Sequence, residues 1–324
     1  MRHAKRALTV FVPCLFSAIG INCGAQTYPV KPVRIVVPVA AGGPTDILTR
    51  TLSQKFAEAW NQQVVVENRA GGGSNIAFEF VAKSAPDGYT MLMAQPAFTV
   101  NVSLYKNLAY DPLRDFVTVS LATTYPLVLV SHPLVPARTI KELVALATTK
   151  PGRLNIASAG NGTTTHLAAE WFNTLAGIRL THIPYKGAAP ATIDLLGGHT
   201  DVSFASPPPV LTAIAQRRLN ALAMTGATRH PLLPSVPTFS ESGFPEFVVM
   251  GWYGLVAPAG TPREVVNIVR AEVVKALAAS DTKERVQALG LDPVGSTPEQ
   301  FTALLKDEVA RWAKVVKASG AKPD

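Results

Sequence analysis

Two α/β lobes facing a common cleft are what this chain of 324 residues predicts. Three observations carry that reading. The length exceeds a usual single core, so two domains are the default. From Val33 onward, short β-branched runs alternate with amphipathic stretches, the pattern of a parallel sheet with right-handed helical crossovers. Finally, two strand-to-helix junctions far apart in the chain are both broken by glycine.

The first junction lies in VPVAAGGPTDILTR, Val37 to Arg50. VRIVVPV (Val33 to Val39) reads as a buried strand. After Ala41 and Gly42-Gly43 come Pro44, Thr45 and Asp46, residue types that open helices. Leu48, Leu52, Phe56 and Trp60 then mark one apolar stripe. Glycines at such a place expose backbone N–H groups, and a helix N-terminus adds partial positive charge, which suits a carboxylate or phosphate. Taken alone, a turn that needs glycine only for its dihedrals explains the junction better.

A second junction of the same kind shifts that balance. LNIASAGNGTTTHLAAEW runs through Ser158, Ala159, Gly160, Asn161 and Gly162 into a helix. Thr163, Thr164 and Thr165 place hydroxyls in its first turn, where a bound carboxylate could use them.

The remaining elements follow in order. Gln63 to Asn68 and Tyr89 to Gln95 read as strands, Ser74 to Ala85 as a helix, and Pro86 to Gly88 as a turn. Pro126 to Pro133 begins a second series. Its helices start near Thr139, Thr163 and Ala189, and its strands are LNIASA, LTHIPY, DVSFAS and NALAMTG. The proline-rich stretch His230 to Phe239 cannot be helical. Phe247 to Pro258 reads as one long strand able to cross between lobes. Three helices finish the chain, two of them opened by capping boxes with proline, at Thr261 to Glu264 and Thr297 to Gln300. In the last, Phe301, Leu304, Leu305, Val309, Trp312 and Val316 form a packing face. The expected division is 1–25 signal peptide, 26–126 first part of lobe 1, 127–250 lobe 2, and 251–324 the return to lobe 1.

The signal-peptide expectation rests on Arg2, Lys5 and Arg6, then the apolar run Ala7 to Ile21, then Cys23-Gly24-Ala25, and it implies periplasmic export. The run is too short for a membrane anchor and contains Pro13. Both cysteines, Cys14 and Cys23, fall inside the first 25 residues, so the mature chain is expected to offer no disulfide or thiolate. Losing three basic and no acidic residues lowers the formal charge from +8 to +5. The excess is spread along the chain, so nucleic-acid binding has no support.

Enzymatic chemistry finds little footing. Gly160-Asn161-Gly162 with Thr165 approaches a dinucleotide fingerprint, but the next strand ends in Tyr185-Lys186 where an acidic residue is needed. No phosphate loop is present, and no cofactor is expected. Ser158 lacks a G-x-S-x-G elbow, leaving a hydrolase built on Ser158 with His166 or His182 as the alternative from another class. The histidines are isolated in sequence, so no metal site is expected. Asp46 is read as stabilising its helix start or ordering a pocket water.

In its ordered blocks the chain resembles the substrate-binding proteins of tripartite tricarboxylate transporters, the Bug family of extracytoplasmic solute receptors. The blocks include YPVKPVRIVVPVAAGGPTD, VVVENRAGGGSN, KSAPDGYT, LYKNLAYDPLRDF, ASAGNGTTTHLAAE, THIPYKGAAPATIDLLGG, LPSVPTFSESGFPEF and WYGLVAPAGTP. The resemblance implies a periplasmic-binding-protein type II fold, two α/β lobes joined by two hinge strands, and no enzymatic activity. It implies that Ala41, Gly42, Gly43, Thr45 and Asp46, together with Ser158 to Thr163, hold a ligand carboxylate, with Gln95 and Pro96 facing the same cleft. The expected ligand is a di-, tri- or aromatic carboxylate. Expected partners are the membrane permease subunits or, alternatively, a sensor histidine kinase, and the receptor is expected to be a monomer. Two departures from the family pattern bear on the ligand. Ala205-Ser206-Pro207 stands where an Asp-Asn-type pair is usual, which argues against an amino-acid ligand. Val39 stands where an aromatic is frequent, which widens the pocket.

Overall fold

The computed structural model describes residues 28–323; the expected signal peptide lies outside them. The first elements are β1 (Val33–Val37), α1 (Pro44–Trp60), β2 (Val64–Asn68), α2 (Asn75–Ala82, after a 3₁₀ turn at Gly72–Ser74), β3 (Thr90–Ala94), α3 (Ala97–Leu104) and β4 (Phe116–Pro126). The chain continues through β5 (Val128–Ser131), α4 (Ile140–Thr149), β6 (Asn155–Ser158), α5 (Thr164–Ala176), β7 (Thr181–Pro184), α6 (Ala188–Leu196), β8 (Val202–Ala205), α7 (Pro207–Ala215) and β9 (Asn220–Met224). It ends with β10 (Met250–Pro258), α8 (Arg263–Ala278), α9 (Ser280–Ala288), β11 (Asp292–Pro293) and α10 (Pro298–Ser319).

Two sheets result. One has the order β11-β4-β10-β3-β1-β2 and the other β7-β6-β8-β5-β9. The parallel core expected from the alternation is present, with β1 beside β2 and β3, and β6 beside β7 and β8. Neither sheet is purely parallel. β10 returns from the second sheet and inserts antiparallel between β3 and β4. β5 likewise runs antiparallel to β8 and β9. A strand that enters directly from the other lobe needs no helical crossover, so its direction is free to reverse.

α3, β4 and α7 are absent from the sequence reading. Phe98, Thr99, Val100, Asn101 and Leu104 of α3 are all buried, so no polar face marks its period. α7 opens with Pro207, Pro208 and Pro209, which looks like a helix breaker yet suits a first turn. β4 carries a β-branched run, FVTVSLATTYP, that could have revealed it. Of the two capping boxes, that at Thr297 is complete, with Gln300 reciprocating. Thr261 instead donates its hydroxyl to Pro258 O, and Pro262 is the N-cap of α8.

The sheets are connected where β4 passes into β5 and β9 leads back to β10. Buried Thr225 ties these crossings together. Its Oγ1 accepts the Leu127 N–H at 2.8 Å and donates to Val249 O at 2.6 Å. Packing by α10 adds to the two crossings. Trp312, Val315 and Val316 enter the same apolar core as Phe172, Phe204 and Phe247 of the second lobe. Arg311 lies over the Trp171 ring at 5.5 Å and donates to Val248 O. Among the described residues, no helix is long and apolar enough to cross a membrane.

Candidate functional site

A cavity of 370 Å³ opens between the lobes, within the size range of small-molecule pockets. Helix starts from both lobes converge on it: Pro44 of α1, Ala97 of α3, Thr164 and Thr165 of α5, Ala188 of α6, and Ser206 ahead of α7. Type II topology explains the convergence, because each of these helices follows a strand whose C-terminal end faces the cleft.

The first glycine loop is arranged by Asp46. This buried carboxylate accepts the Gly42 N–H at 2.9 Å, the Asn68 amide at 2.9 Å and the Arg50 Nε at 3.0 Å. Burial raises its pKa, but the bonds from Arg50, Gly42 and Asn68 outweigh that, and the group lies below the ordinary Asp value. Asp46 therefore acts on the helix start, one of the two roles read from sequence. The Gly42 N–H thus faces a fixed carboxylate within its own loop. Val39 and Pro44 line the cavity, whereas Ala41, Gly42, Gly43, Thr45 and Asp46 do not. Thr45 points its hydroxyl at Gln95 Oε1 (3.3 Å), and Gln95 donates in turn to Ser74 Oγ (3.3 Å).

The second loop is organised in the same way. Ala159 N–H donates to Thr165 Oγ1 (3.0 Å), Gly160 N–H to Ser158 Oγ (3.1 Å), and Gly162 N–H to His166 Nδ1 (3.0 Å). The glycine amides expected to hold an anion are thus internally satisfied. What the loop presents to the cavity is Ala159, Asn161, Gly162 and the row Thr163 to Thr165. Gly160 and Ser158 stand behind it. Of the other expected positions, Gln95, Pro96, Ala205 and Ser206 line the cavity.

Ser158 does meet a histidine, with its Oγ 2.5 Å from His182 Nε2. Ser158 is 1% exposed, does not line the cavity, and its hydroxyl also takes the Gly160 N–H, so it is engaged within its own loop. His166 and His182, isolated in sequence, stack with centroids 3.9 Å apart, and Glu170 completes a trio of metal-ligating type. The donor set does not fit a metal. Because His166 Nδ1 accepts the Gly162 N–H, a neutral ring carries its proton on Nε2, the atom that faces Glu170 at 3.8 Å.

Sequence reasoning misses Tyr125 and Tyr253, which line the cavity at the two crossings and stack at 5.3 Å. Tyr125 stands beside Thr164 at the start of α5 and Tyr253 beside Thr45 at the start of α1. Burial raises both phenols, which stay protonated at neutral pH. Gly251 is a signal that could have found them, since a Cβ there would lie 2.0 Å from the Tyr125 ring. Ser74 and Asn101 also line the cavity, and Asn101 holds the Gly73 carbonyl at 2.8 Å. Among the described residues that line this cavity, none is Asp, Glu, Lys, Arg or His.

Comparison with known proteins shows the family and the fold. Residues 48–321 match the family described as "Tripartite tricarboxylate transporter family receptor". The chain is 37% identical to protein BugT of Bordetella pertussis over 308 residues, spanning 94% of each. It is similar to Rpa4515 of R. palustris, solved with adipate (32% identity, TM-score 0.81, 92% of this chain and 100% of that one). It is also similar to MatC of Rhodopseudomonas palustris, solved with bound malate (33% identity, TM-score 0.78, 89% of this chain and 100% of that one).

Proposed function

The chain belongs to the tripartite tricarboxylate transporter receptor family, and we propose that it captures a small organic carboxylate between its lobes for uptake through the membrane permease subunits of such a transporter. The observation that carries this reading is the interlobe cavity, closed by helix starts from both lobes and rich in hydroxyl and amide groups. Solved relatives that hold adipate and malate support a carboxylate ligand. Export to the periplasm belongs to the same proposal, as do lobe boundaries at residues 126/127 and 250/251.

The ligand site proposed here differs from a cradle of bare glycine amides. Thr163, Thr165, Asn161, Gln95 and Ser74 supply the polar lining, and the glycine loops act by shaping it. An anion at this end also feels the positive end of the α5 dipole. Closure on the ligand draws its free energy from contacts made by both lobes at once.

Isothermal titration of the purified protein with a panel of mono-, di- and tricarboxylates tests the reading. Saturable binding of at least one acid, with compaction in small-angle scattering and no turnover of the corresponding ester, is the expected result. Ester hydrolysis that disappears in Ser158→Ala would overturn it.

A further inference from the structure

We infer that the ligand of this cavity is a monocarboxylate with an apolar, ring-sized body, an inference that rests on the receptor reading above. The two ends of the cavity offer different chemistry. One group of lining residues is polar: Thr163 and Thr165 bond each other, Gln95 donates to Ser74, and Thr164 stands beside the stacked rings of Tyr125 and Tyr253. A single carboxylate has partners there.

The opposite chemistry lines the start of α7. Positions 207, 208 and 209 are all proline, so three of the four N–H groups that normally make a helix start attractive to anions do not exist. Ahead of them stand Ala205 and Ser206, and Ser206 is the one polar side chain of that stretch. The turn Leu289-Gly290-Leu291 from the other lobe closes against this wall. A Cβ on Gly290 would sit 2.4 Å from Pro208 Cγ, so the proline ring packs directly on the glycine backbone. Leu289, Leu291, Pro209 and Phe204 complete an apolar surface.

A second carboxylate placed against this wall would lose its water and find no cation among the lining residues, and of the α7 helix-start amides only that of Ser206 exists. Unpaired buried charge is among the costliest arrangements in a protein interior. An aromatic or aliphatic body meets matching surface instead, flanked by the rings of Tyr125, Tyr253 and Phe204. The absence of any lining carboxylate also leaves an amino group without a counter-ion.

Matched pairs test this at neutral pH by titration calorimetry: benzoate against terephthalate, and hexanoate against adipate. The monocarboxylate is expected to bind at least tenfold tighter in each pair. Ala205→Lys, which adds a cation at the proline wall, is expected to narrow or reverse the preference. Terephthalate or adipate binding as tightly as its partner in the unmodified protein would overturn the inference while leaving a carboxylate receptor intact. Binding of benzamide or hexanamide with no binding of any acid would overturn the receptor reading and this inference together.

Discussion

The Gly162 N–H donates to His166 Nδ1 at 3.0 Å, so a cavity-lining loop is held by an imidazole that must remain neutral. The ring lies stacked on His182 and buried against Glu170. Protonating Nδ1 would replace an acceptor with a second donor facing the same N–H.

Acid should therefore destabilise the protein in a defined window. Burial, with His182 adding to it, lowers His166 from 6.5 to about 3. Between these values the unfolded chain binds the proton that the folded one refuses, so stability falls as pH drops from 6.5 toward 3 and is complete above 6.5. Going from pH 6.5 to 5 should cost about 2 kcal/mol. Glu170, raised by burial, acts with the opposite sign, favouring the fold at low pH. Urea midpoints at a series of pH values check this, and His166→Gln should flatten the slope.

Thr225 is expected to matter out of proportion to its size. Its hydroxyl serves Leu127 N–H and Val249 O, one on each crossing. Thr225→Val keeps the volume and leaves both groups unsatisfied, a cost of about 2–4 kcal/mol at roughly 1–2 kcal/mol per buried group. Thr225→Ser should recover most of it. Thermal denaturation of the three proteins decides.

Glu308 presents a buried carboxylate to two indoles. Its Oε2 accepts Trp312 Nε1 at 2.6 Å and Trp252 Nε1 at 3.4 Å, tying α10 to the β10 crossing. Burial holds its pKa above the ordinary Glu value. Glu308→Ala orphans both N–H groups and opens a cavity, which should cost about 3 kcal/mol, while Glu308→Gln, which keeps an acceptor, should cost about 1. Chemical denaturation followed by tryptophan fluorescence measures both.

How much of this was legible in the sequence depends on whether the cause was local. The two glycine junctions, the complete cap at Thr297 and most strands were readable because capping chemistry and β-branched runs act within a few residues. α3 was not, because its buried surroundings erase the amphipathic period. The roles of Gly42, Gly160 and Gly162 were legible only in part. Positive φ at all three shows that glycine is needed, yet the partners of their amides (Asp46, Ser158, His166) are set by the folded loops. Tyr125 and Tyr253 are far apart in the chain and become neighbours only when β4 and β10 pair antiparallel.

Gly162 separates shaping of the site from direct contact with the ligand. A Cβ at this position would lie 2.7 Å from Leu104 Cδ1, across the boundary between α5 and α3, in a residue with φ +72. Gly162→Ala should therefore strain the loop by about 1–3 kcal/mol and hold the lobes apart. Gly42→Ala is the control, because its φ of +89 is equally unfavourable but no atom lies within 4 Å of the added Cβ. Both variants should lose similar stability, and only Gly162→Ala should lose affinity through the lobe contact. Adding Leu104→Ala removes the clash without relaxing φ, so binding should return while the stability deficit remains. Calorimetric titration with an acid shown to bind the unmodified protein reads the first effect and thermal denaturation the second. Equal affinity losses in Gly42→Ala and Gly162→Ala would instead place both loops in direct contact with the ligand.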